Sequence, residues 1–219
     1  MSRMTTLMKT QLNNMNEASQ RAGGLGTRLD AMEYGATLVA PSAGTLTANL
    51  PVVSYEFAPY IGTATKCHAA ITLTDAIQTI TTAITNPDFP RILSVKGNDA
   101  NVAGDVVIVG TDINDDALTE TIALNAATEV FGVKAFKTVT SIQVPVYDTA
   151  GTETVSIGMG DKFGFPIAIP NASLVLAKSF DGAVDTGTVT ASATVPASVF
   201  APAGTVNGTK IVKLWFLSI

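Results

Sequence analysis

The residues best able to do chemistry stand side by side, because the only cysteine of the chain, Cys67, directly precedes the only histidine, His68. A Cys–His catalytic pair requires the two side chains to converge, and a zinc site requires further Cys or His ligands that the sequence lacks. Neighbouring residues of a β-strand point to opposite faces of the sheet. The sequence therefore favours a small buried thiol beside a surface imidazole and predicts no catalytic residue here.

A second candidate is an acidic stretch that follows a run of valine and isoleucine. Asp112, Asn114 and Asp116 fall at the first three positions of the calcium-loop pattern, in which side-chain oxygens bind Ca²⁺. Ala117 then replaces the glycine of that pattern, and Ala123 stands where a bidentate glutamate belongs. The stretch is at best a weak three-oxygen metal site, and a hairpin turn with Asx hydrogen bonds is the favoured interpretation.

The glycine-rich stretch Gly158–Gly164 lacks the spacing of a dinucleotide fingerprint, and no helical pattern follows it. We expect a bulged turn there instead. The carboxylates are scattered over predicted turns without a histidine or a basic residue close to them in sequence, so no acid–base pair can be named. The sequence predicts a protein that is not an enzyme and holds no cofactor.

Composition excludes several classes of protein. Hydrophobic residues make up 47% of the 219 residues and charged residues only 14%, with a net charge of −5. The longest uncharged stretches are interrupted by Pro, Thr, Ser and Gly, which argues against a membrane span. No cluster of Lys and Arg offers a surface to a phosphate backbone, so we expect no nucleic-acid partner. Met1–Thr10 lacks the pattern of a secretory signal, and synthesis in a reducing cytoplasm is expected.

The first part of the chain has the pattern of a helical arm. Good helix formers without proline run from Thr6 to Arg21, and glycines at positions 23, 24 and 26 end the pattern and supply a joint. Apolar residues recur there at helical spacing and are candidates for binding a partner: Leu7, Met8, Leu12 and Met15. The arm, residues 1–36, either packs on its own body or docks on another subunit, and both alternatives remain open.

An extended strap is expected over residues 37–68, where Ala, Pro, Thr and Gly prevail without sustained periodicity. Because a strap with so few charges is unfavourable in bare solvent, it should lie along the body or against a neighbour. Residues 69–219 then form the body.

The body has the pattern of an all-β fold. Short β-branched segments recur about every ten residues between turn signals, with no long helical pattern among them. The clearest is Asp105–Thr111, Val130–Phe136 is among the others, and Asn207-Gly208 is the best hairpin turn. The sequence therefore predicts an antiparallel, jelly-roll-like β-sandwich that carries an N-terminal helical arm and an extended strap.

Part of the body resembles structural proteins of tailed bacteriophages. About 90 residues between Ile77 and Phe165 carry the resemblance, in five segments of strand and turn: Ile77–Thr82, Thr85–Arg91, Gly104–Asp112, Thr119–Asn125 and Lys134–Val139. They are similar to virion proteins of the head-decoration (cement) or head-fibre type, which are built on a β-sandwich. The shared residues are framework, so no functional residue is transferred.

The resemblance implies a structural protein on the exterior of a capsid, made in the cytoplasm of a bacterial host. Its partners would be the major capsid protein of the same virion and further copies of itself, commonly as a homotrimer at local three-fold positions. Two alternatives remain open. One is a tail, baseplate or fibre component of the virion. The other is a carbohydrate- or surface-binding β-module, for which aromatic residues, 6% of the chain with Trp215 as the only tryptophan, are scarce.

Overall fold

The computed structural model describes residues 51–148 and 151–218. The helical arm and its candidate partner-binding residues Leu7, Met8, Leu12 and Met15 lie outside these residues, as do residues 37–50 of the strap. Contacts divide the chain into two units, and the site residues discussed below belong to the larger one, Tyr55–Leu214.

The described residues form an all-β fold with one short 3-10 helix, Ala172–Leu174. This confirms the all-β, antiparallel part of the predicted fold class. The strands are β1 (Val52–Phe57), β2 (His68–Thr72), β3 (Gln78–Ile80), β4 (Arg91–Gly97), β5 (Asp105–Thr111), β6 (Ala117–Ala123), β7 (Val130–Phe136), β8 (Thr138–Val144), β9 (Thr154–Gly164), β10 (Val175–Phe180), β11 (Ala183–Val184), β12 (Thr188–Thr190), β13 (Val199–Ala201) and β14 (Val212–Leu217).

The strands form three sheets. A six-stranded sheet has the order β12-β13-β9-β4-β7, with β2 added along β9, and the two four-stranded sheets have the orders β3-β8-β5-β6 and β1-β14-β10-β11. Strand β9 pairs antiparallel with β4 on one side and with β2 and then β13 on the other. Strand β5 pairs antiparallel with β6 and β8.

One apolar core contains side chains of both the six-stranded sheet and the β3-β8-β5-β6 sheet. Alternation explains which residues face it, since every second residue of β5 and β6 is buried. Its most fully buried members include Leu93, Val95, Ile157, Val106, Ile108 and Ile142. A smaller apolar cluster, Ile92, Ala135 and Val199, belongs to the six-stranded sheet alone.

Strand β9 corrects the expected turn at Gly158–Gly164. The chain continues there as one strand of 11 residues. Its glycines lie where neighbours approach too closely for a side chain: a Cβ at Gly158 would come within 2.3 Å of Ser94 Oγ, and one at Gly160 within 2.8 Å of Ile92. These glycines mark close packing within a sheet, which the sequence pattern does not distinguish from a turn.

The strands near the C-terminus also differ in part from expectation. Asn207-Gly208 does form a turn, with Gly208 at φ +86° and Asn207 Oδ1 accepting hydrogen bonds from the N–H groups of Thr209 and Lys210. The turn does not close a hairpin, because β13 and β14 belong to different sheets. The run of Thr, Val and Ala at residues 183–194 contains the two short strands β11 and β12.

Candidate functional site

The Cys67–His68 pair forms no catalytic arrangement. The Cys67 side chain is fully buried in the core, and this burial raises the pKa of the thiol to about 12, so it stays protonated and non-nucleophilic at neutral pH. The His68 ring places Nδ1 2.7 Å from the carbonyl oxygen of Ala69. The thiol therefore packs as an apolar side chain, while the imidazole contacts backbone.

The acidic stretch at residues 112–116 forms the turn between β5 and β6. Asp112 Oδ1 accepts hydrogen bonds from the N–H groups of Asn114, at 2.8 Å, and Asp116, at 3.2 Å. Asp115 adopts φ +68° and pairs with Lys137 at 2.7 Å. The Asp112 carboxylate thus serves its own backbone in an Asx turn. Within the described residues, no group of three or more His, Cys, Asp or Glu side chains is placed to hold a metal ion.

A buried arginine that no sequence motif reveals organises an ionic site in the larger unit. Arg91 opens β4, and its side chain is fully buried. Its Nη2 donates a hydrogen bond to the carbonyl oxygen of Tyr60 at 2.7 Å. The guanidinium carbon lies 4.6 Å from the centre of the Phe163 ring on β9, a cation–π arrangement that follows from the register, in which Arg91 pairs with Phe163.

Two carboxylates flank this guanidinium and complete what we name the Arg91 cluster: Arg91, Asp88 and Asp161. The Arg91 Nε lies 3.5 Å from Asp88 Oδ1, and Nη1 lies 3.8 Å from Asp161 Oδ1. Burial lowers the pKa of Arg91, whereas the charges of Asp88 and Asp161 raise it. Because an arginine side chain keeps its proton in proteins, the cluster holds one positive charge between two negative ones.

The carboxylates of the Arg91 cluster also bind backbone. Asp88 Oδ2 accepts a hydrogen bond from the N–H of Tyr60 at 2.7 Å, and Asp161 Oδ1 accepts one from the N–H of Gly62 at 2.8 Å. Together with the bond from Arg91 to the Tyr60 carbonyl, these contacts bind both ends of the Tyr60–Gly62 segment to the body. On the N-terminal side, the carbonyl of Pro59 accepts a hydrogen bond from the N–H of Gly208.

Close packing against β9 also fixes the Tyr60–Gly62 segment. A Cβ at Gly62 would lie only 1.9 Å from the carbonyl oxygen of Met159 on β9, so no other residue fits there without a shift of backbone. The next residue, Thr63, accepts a hydrogen bond from the N–H of Met159 at 3.0 Å. The segment therefore lies directly on β9.

The two side chains at the centre of this fixed segment point to solvent. Tyr60 is 58% exposed and Ile61 is 48% exposed, although both are large and apolar. The Tyr60 ring lies close to Gly208, and the Lys66 ammonium is 5.8 Å from the ring centre. We name Tyr60 and Ile61 the contact pair. The backbone on either side of Ile61, at Tyr60 and Gly62, is hydrogen-bonded to the body, so little conformational freedom would be lost if another molecule covered the pair.

A groove of about 330 Å³ begins beside Ala64 and Thr65, just beyond the contact pair. Its polar lining includes Lys96, Asn98, Thr154 and Ser156. These residues offer one cation with hydroxyl and amide groups but no carboxylate or imidazole beside it. The lining provides no acid–base pair.

Sequence reasoning missed the Arg91 cluster because its members lie far apart in the chain. Asp88 and Arg91 belong to a stretch with two prolines that the sequence presents as a turn, and Asp161 follows 70 positions later. An arginine directly before the apolar residues Ile92 and Leu93 was the one available signal, since arginine is rarely buried without a partner.

No protein-family profile, no curated protein and no solved structure matches this chain. Within the described residues, no helix has the length and hydrophobicity needed to cross a membrane. The site must therefore be interpreted from its own geometry.

Proposed function

We propose that the chain is a non-enzymatic structural protein of a tailed-phage virion, a capsid decoration protein that binds the outer shell and bridges capsomers. Two sequence features support this: the resemblance of residues 77–165 to virion proteins, and a surface with few charges, expected of a protein that is covered by other subunits.

The observation that carries the proposal is the rigid display of the contact pair. A buried arginine, two carboxylates and a glycine hold Tyr60 and Ile61 in one backbone conformation with both side chains exposed. Aromatic anchors on a fixed backbone are typical of the residues that dominate binding energy at protein interfaces. A catalytic site would instead gather titratable side chains around a cavity, and the described residues gather them around a segment of backbone.

The two sheets that share one core suit a structural role. We propose that the six-stranded sheet and the β3-β8-β5-β6 sheet form the two layers of a jelly-roll-like sandwich, because the buried faces of both contribute to one core. The Arg91 cluster then binds the Tyr60–Gly62 segment to the layer that contains β4 and β9. Force applied to that segment would pass into the sheet through ionic and hydrogen-bonded contacts.

The partners under this proposal are the major capsid protein of the same virion and further copies of the chain, assembled as a homotrimer on the capsid exterior. Attachment at repeated three-fold positions multiplies a modest contact over the whole shell. The contact pair would meet the shell protein, and the body would face outward.

Copy number tests the proposal. Quantitative mass spectrometry of purified particles, with the major capsid protein as internal reference, should find on the order of hundreds of copies, as repetition over a symmetric shell requires. About six or twelve copies, the numbers set by the rotational symmetry of a tail, would assign the protein to the tail or baseplate instead. Absence from particles would refute a virion role altogether.

A further inference from the structure

Two strands end their sheets side by side in this fold. Strand β7 is the last strand of the six-stranded sheet, and β6 is the last strand of the β3-β8-β5-β6 sheet. An edge strand normally presents unpaired N–H and C=O groups, which can pair with a strand of another chain. The groups that occupy these two edges therefore decide whether copies of the protein associate through them.

Glu120 of β6 occupies part of the β7 edge. It lies on the buried side of β6, between Leu118 and Ile122, and is only 6% exposed. Its Oε1 accepts hydrogen bonds from the N–H of Val133 at 2.7 Å and from the N–H of Lys134 at 3.2 Å. Gly132 makes room for the carboxylate, since a Cβ there would lie 2.4 Å from Oε2.

Lys134 of β7 in turn bonds to the backbone of β6. Its Nζ donates a hydrogen bond to the carbonyl oxygen of Thr119 at 2.7 Å. Further along, the N–H of Ala135 donates to the carbonyl of Pro196, and the N–H of Lys137 donates to that of Thr111. The N–H groups of Val133, Lys134 and Ala135 are thus bonded to the Glu120 side chain and to a loop carbonyl. The N–H of Lys137, just beyond β7, is bonded to the last residue of β5.

The same edge carries exposed apolar side chains. Val133 is 66% exposed and Phe131 is 49% exposed, and both lie in β7. An edge with open N–H groups and such side chains would be a strong template for strand addition. Glu120 and Lys134 instead bond backbone groups of these two edges.

We propose that Glu120 and Lys134 form a reciprocal cap that keeps the β6 and β7 edges from adding a strand of a second copy of this chain. The role is independent of the virion function, because it concerns how the folded chain avoids pairing with itself. It predicts that loss of the cap adds a new association to whatever oligomeric state the wild-type chain has.

The principal test compares Glu120→Val, which removes the acceptor and keeps β propensity, with Glu120→Gln, which keeps an amide oxygen for the same two N–H groups. Light scattering on the full chain should show the mass of the Val variant rising with concentration toward about twice the wild-type value, as an isologous edge pairing gives. The Gln variant should keep the wild-type mass. A Val variant that retains wild-type circular dichroism and wild-type mass would overturn the proposal.

Cross-linking locates the new contact. Val133→Cys, combined with Glu120→Val, should form a disulfide between copies under mild oxidation, whereas the same cysteine combined with Glu120→Gln should not. The buried Cys67, whose pKa is raised to about 12, will not compete. Association without a cross-link at position 133 would assign it to another surface and contradict the proposal.

Lys134 provides a second route if Glu120→Val does not fold. Lys134→Met opens the Thr119 carbonyl without removing a core side chain, and Lys134→Arg retains a donor. The Met variant should gain mass relative to wild type and the Arg variant should not. A folded Met variant with unchanged mass would refute the cap.

Discussion

Arg91 shows how a single residue can join separate parts of this chain. Its guanidinium is fully buried, and two of its nitrogens face carboxylates at 3.5 and 3.8 Å, beyond ordinary hydrogen-bond distance. Such a buried group is costly unless the surrounding charges compensate for lost water. The compensation here also binds the backbone of Tyr60 and Gly62, so the ionic cluster fixes the position of a segment.

Removal of the guanidinium should destabilise the fold strongly. Arg91→Leu leaves Asp88 and Asp161 facing an apolar side chain, and the free energy of unfolding should fall by about 3–5 kcal/mol, the range for breaking a buried ion pair from one side. Urea denaturation measures this. Lys137→Ala is the matched control, because its pair with Asp115 is exposed and should contribute less than about 1 kcal/mol. Equal losses in both variants would show that Arg91 is not the anchor described.

Glu120 should make stability depend on pH. Burial raises its pKa, against the lowering effect of the N–H groups of Val133 and Lys134 and the Lys134 charge. A carboxyl whose folded-state pKa is raised stabilises the fold below its unfolded pKa, and this contribution is lost as pH rises through the folded pKa.

The free energy of unfolding of Glu120→Gln minus that of wild type should therefore be larger at neutral pH than below about pH 4, the ordinary range for a carboxyl group. Urea unfolding of both proteins over this range gives the difference, in which the other carboxylates cancel. A difference that stays constant with pH, or that favours wild type as pH rises, would contradict a raised pKa.

At the scale of elements, β9 is the strand on which the site depends. It pairs with three neighbouring strands and carries Asp161 and Phe163. The Tyr60–Gly62 segment continues into Thr63, which accepts a hydrogen bond from Met159 of this strand. Contact between segment and strand is close enough that only glycine fits at position 62.

Gly62→Ala should release this segment locally. The added methyl group would meet backbone at the Met159 carbonyl, and overpacking of this kind costs about 1–3 kcal/mol. Hydrogen exchange should show faster exchange of the amide at position 62, while amides of β5 change less. Gly182→Ala serves as control, because Gly182 has φ +80° and open space around it, so only backbone strain is added. Unchanged exchange at position 62 would contradict the close contact.

Strands were predictable from the sequence where alternation and turn residues agree. Asp105–Thr111 and Val130–Phe136 have the predicted bounds. The first is rich in β-branched residues and lies between Gly104 and Asp112, which are typical turn residues. The prediction of a turn at Gly158–Gly164 was wrong because glycine occurs both in turns and at close packing contacts within a strand. The Arg91 cluster could not be predicted, since it depends on the pairing of β4 with β9 and on a loop that meets both.

In the molecule as a whole, the low content of charged residues is reflected in apolar side chains that stay exposed. Large apolar side chains remain exposed at several places in the described residues, among them Tyr60, Ile61, Ile77, Phe131 and Val133. The contact pair is fixed by the Arg91 cluster and is proposed to meet the shell, whereas Phe131 and Val133 lie on an edge that Glu120 and Lys134 close. Exposed apolar surface thus has two different assignments.

Binding to the shell should depend on the contact pair. Replacing both residues, Tyr60→Ser with Ile61→Ser, should weaken binding by at least roughly 30-fold, because truncation of an interface anchor costs about 2 kcal/mol or more. Titration of the full-length variant onto shells that lack the protein measures this. Ile77→Ser is the control, since Ile77 is 64% exposed elsewhere and should bind as wild type. Equal weakening by both would remove the contact pair from the interface.

Cryo-electron microscopy of shells that lack the protein, imaged before and after the purified full chain is added, shows whether the protein attaches to the capsid exterior. New density should appear on the outer surface, repeated at three-fold positions, with Tyr60 and Ile61 facing the shell. A bare exterior after addition, or density confined to the tail, would contradict the proposed attachment.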